Sequence, residues 1–573
     1  MRSAVRAGLM LVVIGFMAAS RPGLKAGTYG SGADTGTYGS GTVTRTSRLG
    51  TDDSRMAWWR EARFGLFIHW GPVSLKGTEI SWSRGGERRG TGGTGSIPAE
   101  EYDNLYKQFN PTEFNADEWV AMAKAAGMKY LVFTTKHHDG FCMFDSKLTD
   151  YKITNSPFKR DITAELARAC HRGGLRLGFY YSPPDWHHPD YRTDNHARYL
   201  EYLHGQLREL CTNYGQVDII WFDGLGGGAK DWDSEKLVAM IRELQPGVII
   251  NNRSGLPEDY DTPEQQIGRF QTDRAWETCM TLGQQWAWKP DDGIKSLQEC
   301  VDTLVRCAGG DGNLLLNVGP MPTGQIEPRQ AQRLREIGDW LKQSGESVYG
   351  TRGGPFRPAP WGASTHKGNT IYLHVLNWPQ DTVTLPPIQQ KVLGSSILTG
   401  GTPVVKQTDE GIEVSVPAGQ RQELGTIVVL QLDGPAAEVK PTWQSVSAGK
   451  KATASNVFQN NPAHGPDKAF DDDFATRWAT DWGTTQAWLE VDLEKELTFD
   501  RAIISEEYDR VGEFELQCKA GDEWRTFAQG TTIGNELTLK FAPVTARFVR
   551  LNIRRATEGP TIWEFQLFAP LNP

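Results

Sequence analysis

The sequence predicts an α/β fold, a TIM-type (β/α)8 barrel, followed by two all-β sandwich domains. From about Asp52 to Gly350, short apolar strands alternate with helical patterns such as Ala116 to Ala126 and His196 to Tyr214. Beyond Gly350 the strands alternate apolar and polar residues, with Pro and Gly turns and no helical stretch. A doubly wound open sheet would give the same strand and helix alternation, so it remains the alternative to a barrel.

The stretch VDIIWFDG, residues 217–224, is the clearest predicted barrel strand, and it ends on Asp223. Its apolar run is typical of a parallel strand that is buried on both faces. Five other predicted strands end in polar side chains in the same way: FGLFIH, YLVFTTKHH, LRLGFYY, VIINNR and LLLN. The carboxyl ends of barrel strands converge on one face. Besides Asp223, the pocket expected there contains His69, His137, His138, Tyr181, Asn252 and Arg253. The alternative role for Asp223 is to cap the following helix or to pair with a basic neighbour.

The rest of the chain divides by composition. Residues 1–26 carry Arg2 and Arg6 ahead of an apolar stretch too short to span a membrane, which predicts a secretory signal peptide. Residues 27–50 hold two copies of GTYGSG and predict a flexible tether. We expect the barrel over 51–350, a small antiparallel β-sandwich over 351–433, a linker over 434–441 and a second all-β module over 442–573. No other segment is apolar enough for a membrane span, so we expect a soluble protein that is secreted or periplasmic.

Composition excludes some classes of function. The 61 basic and 70 acidic residues leave a net charge of −9, which gives no indication of a nucleic-acid partner. The seven cysteines include no CxxC pair and no metal-finger spacing, so we expect mostly buried thiols instead of a disulfide framework. The 20 Trp residues suit sugar stacking, although we expect most of them in the core. Nothing in the sequence indicates the oligomeric state.

Several motifs in order resemble one known family. They are WWREARFGLFIHWGP, KYLVFTTKHHDGF, WFDG, NNR followed by TPEQ and WETC, and GNLLLNVGP. Together they look like an α-L-fucosidase of glycoside hydrolase family 29. The resemblance implies a TIM-type barrel followed by a β-sandwich, and a retaining mechanism on a fucose-like sugar. The resemblance implies that catalysis requires no cofactor.

A retaining glycosidase needs two carboxyl groups about 5 Å apart, a nucleophile and an acid/base. Asp223 matches the nucleophile of the family, because the WxDG motif is intact around it. Glu264, in TPEQ, is the first candidate for the acid/base, on its spacing from Asp223. Glu277, in WETC, is the alternative, although its position equally suits a structural carboxylate paired with an Arg behind the pocket.

The resemblance also implies sugar-binding residues. His69, His137 and His138 match histidines that hold ring hydroxyls as neutral donors and acceptors, and Arg253 matches an arginine that orients the nucleophile or a hydroxyl. Either Trp286 or Trp288 would supply the aromatic floor for the fucose methyl group. Glu79 and Trp82 lie in a loop where the family often has a Glu-Trp pair, but Ser81 precedes Trp82 here.

A zinc site is the competing interpretation of the histidines, with His187 and His188 adding to the count. Adjacent residues of a strand point to opposite faces, so His137 and His138 cannot face one ion without a bulge. We therefore expect one of the two to face the pocket and the other its wall.

The last module resembles a discoidin or F5/8 type C domain, also seen as a family 32 carbohydrate-binding module, through KAFDDDFATRW and IWEFQLF. That resemblance implies a structural calcium ion, and hard oxygen donors are what calcium prefers. The predicted ligands are Asp471, Asp473, Thr476 and Glu564. An ordinary acidic turn is the alternative.

The leading hypothesis is an exported, exo-acting α-L-fucosidase whose partner is a fucosylated oligosaccharide or glycan. Two alternatives remain: a glycosidase of the same fold on a related sugar such as an α-L-galactoside, and a catalytically inactive carbohydrate-binding protein. An L-galactoside differs from a fucoside only by a hydroxyl at the methyl position, and an apolar pocket rejects an added hydroxyl weakly.

Overall fold

The computed structural model describes residues 52–570, except 269, 360, 379–380, 410, 441–444, 472–475 and 535. The predicted signal peptide and tether lie outside the described residues, as does Asp473. Within the described residues, no helix has the length and apolar character needed to cross a membrane.

The first part of the chain is a curled parallel sheet surrounded by helices. In the described residues the sheet has seven strands, in the order β5-β4-β3-β2-β1-β7-β6. The strands are β1 Phe64–Ile68, β2 Tyr130–Lys136, β3 Arg176–Tyr181, β4 Ile219–Phe222, β5 Ile249–Ile250, β6 Glu277–Thr281 and β7 Asn313–Val318. The helices are α1 Asp52–Ala62, α2 Ala99–Asn104, α3 Ala116–Ala125, α4 Ile162–Gly173, α5 His196–Asn213, α6 Ala229–Trp232, α7 Ser234–Leu244, α8 Leu297–Gly309 and α9 Pro328–Ser344.

Residues 260–264 fill the eighth position of the barrel, between the edge strands β5 and β6. Single parallel bridges join Tyr260 to Asn251 on one side, and Asp261 to Trp276 and Glu264 to Cys279 on the other. The sheet therefore curls round on itself, as in a (β/α)8 barrel, and the open doubly wound alternative is wrong.

Two apolar layers hold the barrel together. Inward-pointing side chains such as Phe67, Val132 and Leu315 form one cluster, and α1 adds Trp59 to it. The outward side chains pack against the surrounding helices in a second cluster, which explains why the strands read as continuous apolar runs. The strand ends are thus fixed by packing on both faces of the sheet.

Two all-β modules follow. The smaller one has a sheet of β8 Arg352–Gly353, β9 Gly362–Lys367, β10 Thr370–Val375, β12 Val392–Ile397 and β15 Thr426–Leu432, facing a sheet of β11 Thr382–Leu385, β13 Val404–Thr408 and β14 Gly411–Ser415. The C-terminal module contains β16 Lys451–Ala454, β17 Trp478–Ala479, β18 Ala487–Glu506, β19 Val511–Ala520, β20 Glu523–Gly530, β21 Leu537–Ala556 and β22 Thr561–Phe568. All seven cysteines are free thiols, and all but Cys518 are buried, as the sequence predicts.

Candidate active site

Asp223 follows the last residue of β4, at the carboxyl end of the barrel. Its Oδ2 accepts a hydrogen bond of 3.0 Å from the Tyr180 hydroxyl and lies 3.4 Å from Nε2 of His138. Its Oδ1 lies 3.3 Å from Nη1 of Arg253. Burial opposes ionisation of this carboxyl, but the contacts with His138 and Arg253 outweigh burial and hold its pKa below the usual value. Asp223 is therefore a carboxylate at neutral pH.

Glu264 shares a cation with Asp223. Its Oε2 lies 2.8 Å from the same Nη1 atom of Arg253, and its side chain is 41% exposed. Because both carboxylates contact one nitrogen atom, these two oxygens are at most about 6 Å apart, a limit that is compatible with the ~5–5.5 Å of retaining glycosidases. The guanidinium is itself fixed, because its Nε and Nη2 donate to the side chain and carbonyl of Thr262.

Glu277 lies at the opposite end of the barrel, because it is the first residue of β6 and therefore at an amino end. It is fully buried and accepts hydrogen bonds from the Tyr130 hydroxyl and from Nε1 of Trp221. Burial raises its pKa to about 7, although these hydrogen bonds lower it. The structure does not bring Glu277 to Asp223. The expected arginine partner is wrong, since a phenol and an indole take its place.

His69 and His137 line the pocket as neutral rings. Nδ1 of His69 contacts Oδ1 of Asn317 at 2.7 Å, and Nδ1 of His137 contacts Oγ of Ser81 at 2.6 Å. Burial lowers the pKa of His69 to about 4, against the opposing effect of the Asn317 hydrogen bond, and lowers that of His137 well below its usual value. Both rings are therefore uncharged at neutral pH, as hydroxyl binding requires.

His138 also reaches Asp223, so the expectation that one of the two adjacent histidines faces the wall is wrong. The pairing of β2 with β3 shifts register between Thr134 and Lys136, and this bulge removes the strict alternation of faces. One nitrogen of each histidine and one oxygen of Asp223 lie within 4.8 Å of one another. Arg253 beside the same carboxylate opposes a divalent cation there, and His187 and His188 are not members of this group.

Tyr181 does not face the pocket, which corrects the sequence prediction. Its hydroxyl donates to Oε1 of Gln206 on α5 at 2.7 Å, on the outer side of the sheet. The preceding residue, Tyr180, faces inward, stacks on His137 at 5.3 Å and donates to Asp223. Tyr180 is not among the site residues predicted from the sequence. The signal that marks it is the alternation of faces along β3, in which Tyr180 pairs with Trp221 of β4.

The aromatic wall is formed by residues from three loops. The ring of Trp286 lies 4.8 Å from His69, so among the described contacts Trp286 and not Trp288 meets the pocket histidines. Trp82 lies 5.8 Å from His138 and 5.2 Å from Trp186, another pocket residue that the sequence analysis missed. No local motif marks Trp186, because its loop is irregular.

Glu79 and Asn252 act behind the pocket in this structure. The Glu79 carboxylate accepts hydrogen bonds from the backbone N–H groups of Trp286 at 2.8 Å and Ala287 at 3.1 Å. It therefore ties its own loop to the loop that carries Trp286. Asn252 donates to Asp261 and accepts from Thr262, so it holds the closing segment beside Arg253.

The acidic turn of the C-terminal module is described in part. Thr476 donates to both carboxylate oxygens of Asp471, Nζ of Lys468 lies 3.3 Å from Asp471 Oδ2, and Glu564 is fully buried in β22. Asp473 lies outside the described residues. Carboxylate and hydroxyl oxygens are the donors that calcium prefers, and the Lys468 ammonium would have to leave Asp471 for a calcium ion to bind there.

A family model and several similar proteins that match this chain are those of α-L-fucosidases. The family model described as alpha-L-fucosidase matches residues 42–346, and that of the F5/8 type C domain matches residues 451–565. The plasma alpha-L-fucosidase of Pongo abelii is 31% identical over 406 residues, which cover 63% of this chain and 86% of that protein. The human plasma enzyme is 30% identical and is covered to 85%.

Solved structures agree. Alpha-L-fucosidase isoenzyme 1 from Paenibacillus thiaminolyticus is 37% identical with a TM-score of 0.61, over 67% of this chain and 99% of that one. A Bacteroides thetaiotaomicron alpha-L-fucosidase of family GH29 is 32% identical with a TM-score of 0.60, over 67% and 97% of the chains. The latter structure holds a covalent intermediate, trapped with 2-fluoro-fucosyl fluoride in a Glu-to-Gln mutant.

Proposed function

The chain belongs to the α-L-fucosidase family of glycoside hydrolases, and on that premise we propose that it is an exported, retaining exo-α-L-fucosidase that releases terminal L-fucose from glycans by double displacement. The observation that carries this proposal is the pair of carboxylates, Asp223 and Glu264, on one guanidinium nitrogen of Arg253. Their separation suits a retaining mechanism, and only Glu264 is exposed enough to meet a leaving group.

In the first step, an Asp223 oxygen bonds to the anomeric carbon as the bond from that carbon to the leaving oxygen breaks. Glu264 gives its proton to the leaving oxygen. Tyr180 and His138 hold one oxygen of the Asp223 carboxylate, and Arg253 holds the other. His69 and His137 bind hydroxyls of the sugar, while the ring of Trp286 packs against its apolar side.

In the second step, Glu264 takes a proton from water, the water oxygen bonds to the anomeric carbon, and the ester bond to Asp223 breaks. Asp223 is neutral while it carries the sugar, so Arg253 then faces the charge of Glu264 alone.

Replacement of Asp223 by Ala tests the proposal. We expect hydrolysis of a nitrophenyl α-L-fucoside to fall by about 10³-fold or more, and added azide to restore turnover with a glycosyl azide of inverted configuration. Asp233→Asn is the matched control, because Asp233 also follows β4 in the chain but pairs with Lys236 at the surface. This variant should keep full activity. A variant of Asp223 that stays active would refute its role as nucleophile.

A panel of nitrophenyl glycosides separates the alternatives. Faster turnover of an α-L-galactoside than of the fucoside would assign the related sugar. Binding of fucose without turnover of any substrate would assign a catalytically inactive binding protein. Two carboxylates on one guanidinium favour an active enzyme.

We also propose that residues 1–26 direct export, and that the C-terminal module binds glycan and holds a structural calcium ion through Asp471, Thr476 and Glu564. The module presents Trp482, 68% exposed, and Tyr508, 44% exposed, with the Arg510 guanidinium 5.6 Å from the first ring and 4.1 Å from the second. Exposed aromatic faces beside a cation are suited to a sugar ring and its hydroxyls. Sequencing of the mature N-terminus tests the proposed export signal. Measurement of thermal stability at increasing calcium concentrations tests the proposed calcium site.

A further inference from the structure

Ser81 is a buried hydroxyl directly behind His137. Its side chain has no exposed surface, and its backbone lies in the left-handed region with φ 57°. Its backbone N–H donates to the Tyr102 hydroxyl at 2.8 Å, and that hydroxyl donates to Oδ2 of Asp139 at 2.7 Å. The backbone N–H of Asp139 in turn donates to Oγ of Ser81 at 2.9 Å. This closed set of hydrogen bonds fixes the position of the Ser81 oxygen.

The hydrogen bonds of Ser81 determine which nitrogen of His137 carries a hydrogen. A serine hydroxyl has one hydrogen to donate. Its oxygen already accepts from Asp139, and its remaining described contact is with Nδ1 of His137 at 2.6 Å. If Nδ1 carried a hydrogen, the hydroxyl hydrogen of Ser81 would be buried without an acceptor, which is unfavourable. Ser81 therefore donates to Nδ1, and the ring hydrogen of His137 is on Nε2.

His69 has the opposite tautomer. The amide of Asn317 is oriented by its Nδ2, which donates to the carbonyl of Trp286 at 2.8 Å, so its Oδ1 faces Nδ1 of His69 at 2.7 Å. An amide oxygen only accepts, so Nδ1 of His69 carries the hydrogen and Nε2 is an acceptor. The two rings lie 5.5 Å apart, and in the described part of the chain neither Nε2 atom has a hydrogen-bond partner.

We propose that Ser81 is a positioning residue that fixes His137 as a hydrogen-bond donor, so that the pocket presents a donor at His137 and an acceptor at His69. This proposal rests on the proposed function and adds a rule of specificity to it. One sugar hydroxyl accepts from His137 and a second donates to His69, so a substrate that lacks either hydroxyl loses a matched partner.

Nitrogen NMR of the free enzyme tests the tautomers without any need for turnover. In protein labelled with ¹⁵N-histidine, we expect the His137 hydrogen on Nε2 and the His69 hydrogen on Nδ1, with each signal assigned by its loss in a His→Gln variant. In Ser81→Gly, which suits the positive φ and removes the hydroxyl, His137 should become a mixture of both tautomers. A hydrogen on Nδ1 of wild-type His137 would overturn the proposal.

Kinetics with deoxygenated substrates test the consequence. Ser81→Gly should lower kcat/KM for nitrophenyl α-L-fucoside by about 10- to 100-fold, the usual effect of mispairing a buried polar group. It should lower kcat/KM by less than about threefold for the one monodeoxy fucoside that lacks the hydroxyl bound by His137. An equal loss on every analogue would indicate a merely structural role and overturn the proposal.

Ser83→Ala is the control, because Ser83 lies in the same loop and donates to a backbone carbonyl, not to a histidine. It should leave the tautomers and the analogue pattern unchanged. Ser81→Ala should reproduce the pattern of Ser81→Gly, which separates loss of the hydroxyl from a change in backbone freedom. If the wild type does not hydrolyse fucosides, the proposed function fails, while the NMR result still decides the role of Ser81.

Discussion

At the residue scale, neutral and charged groups have separate tasks around Asp223. Arg253 provides a permanent charge to both carboxylates, whereas burial keeps His69 and His137 uncharged. A charged histidine cannot accept a hydrogen bond, so the acceptor at His69 exists only while the ring is unprotonated. Burial of the histidines therefore determines which hydrogen-bond donors and acceptors the pocket offers, as much as the identity of its residues does.

The pKa of His69 predicts a pH dependence of stability. In the unfolded chain the pKa is near 6.5, and in the folded protein burial lowers it to about 4. The unfolded state therefore binds more protons between these values, and stability is lost as pH falls from about 6.5 to about 4, by up to about 3 kcal/mol. Urea unfolding at several pH values should show a shallower dependence for His69→Gln than for the wild type. Equal slopes would contradict the assignment.

The two glutamates should respond differently to replacement. Glu264→Ala should keep substantial activity on a nitrophenyl fucoside, which needs little acid assistance, lose activity on natural disaccharides, and recover with azide. Glu277→Ala should lower both activities together and destabilise the fold by about 2–4 kcal/mol, because Tyr130 and Trp221 lose a buried acceptor. Kinetics on both substrates, with thermal melts, measure this. The reverse pattern would exchange the two roles.

The residue-level predictions from sequence succeed where one strong signal marks the end of a strand. Asp223 follows a four-residue apolar strand and could be placed from sequence. The sequence predicts Tyr181 instead of Tyr180, because the last residue of β3 marks the end of the strand but does not show which face of the sheet it occupies. Ser81 and Trp186 lie outside the motifs, and although Asn317 ends the LLLN strand, the roles of all three depend on contacts with residues far apart in sequence.

At the element scale, the closing segment 260–264 is one of the two barrel positions, with β6, that are absent from the six strands predicted by the sequence. Its links to β5 and β6 are single bridges, so the segment needs no apolar run and shows no period of two. The same segment carries Glu264 to the carboxyl end of the barrel. The bulge at the end of β2 was equally unpredictable, because register depends on the neighbouring strand.

A buried ion pair should anchor the loop behind His138. Nζ of Lys136 lies 3.0 Å from Oδ2 of Asp185, and both side chains are almost fully enclosed. Trp186, the next residue, donates its backbone N–H to the carbonyl of His138 at 2.7 Å. We expect Asp185→Asn to destabilise the protein by about 3–5 kcal/mol, because it leaves a buried charge unpaired.

The double variant Lys136→Met/Asp185→Asn distinguishes an unpaired charge from lost packing. It should recover a large part of the stability that Asp185→Asn loses, as measured by urea unfolding. The surface pair Lys342 and Asp339 is the matched control, and Asp339→Asn should change stability by less than about 1 kcal/mol. A double variant no more stable than the single one would contradict the charge explanation.

At the scale of the whole molecule, the sequence predicts the architecture well because each domain has its own periodicity. Alternating strand and helix patterns mark the barrel, and period-two strands mark both β modules. The contacts between modules are less predictable. Burial raises the pKa of Glu536, in the C-terminal module, to about 7, and Arg357 and Arg306 of the preceding parts lie near enough to oppose that shift. An electrostatic interaction between modules leaves no periodic pattern in the sequence of either module.

Removal of residues 442–573 should leave turnover of a small soluble fucoside nearly unchanged and weaken action on polymeric or surface-bound glycans. The reason is that a linked binding module raises the local concentration of enzyme on its substrate without touching the chemistry. Trp482→Ala should reproduce this selective loss in the full-length protein, whereas Leu393→Ala, at an equally exposed apolar residue of the other β module, should not. Equal loss on both kinds of substrate would instead mean that the module stabilises the barrel, for example through the electrostatic interaction of Glu536 with Arg306.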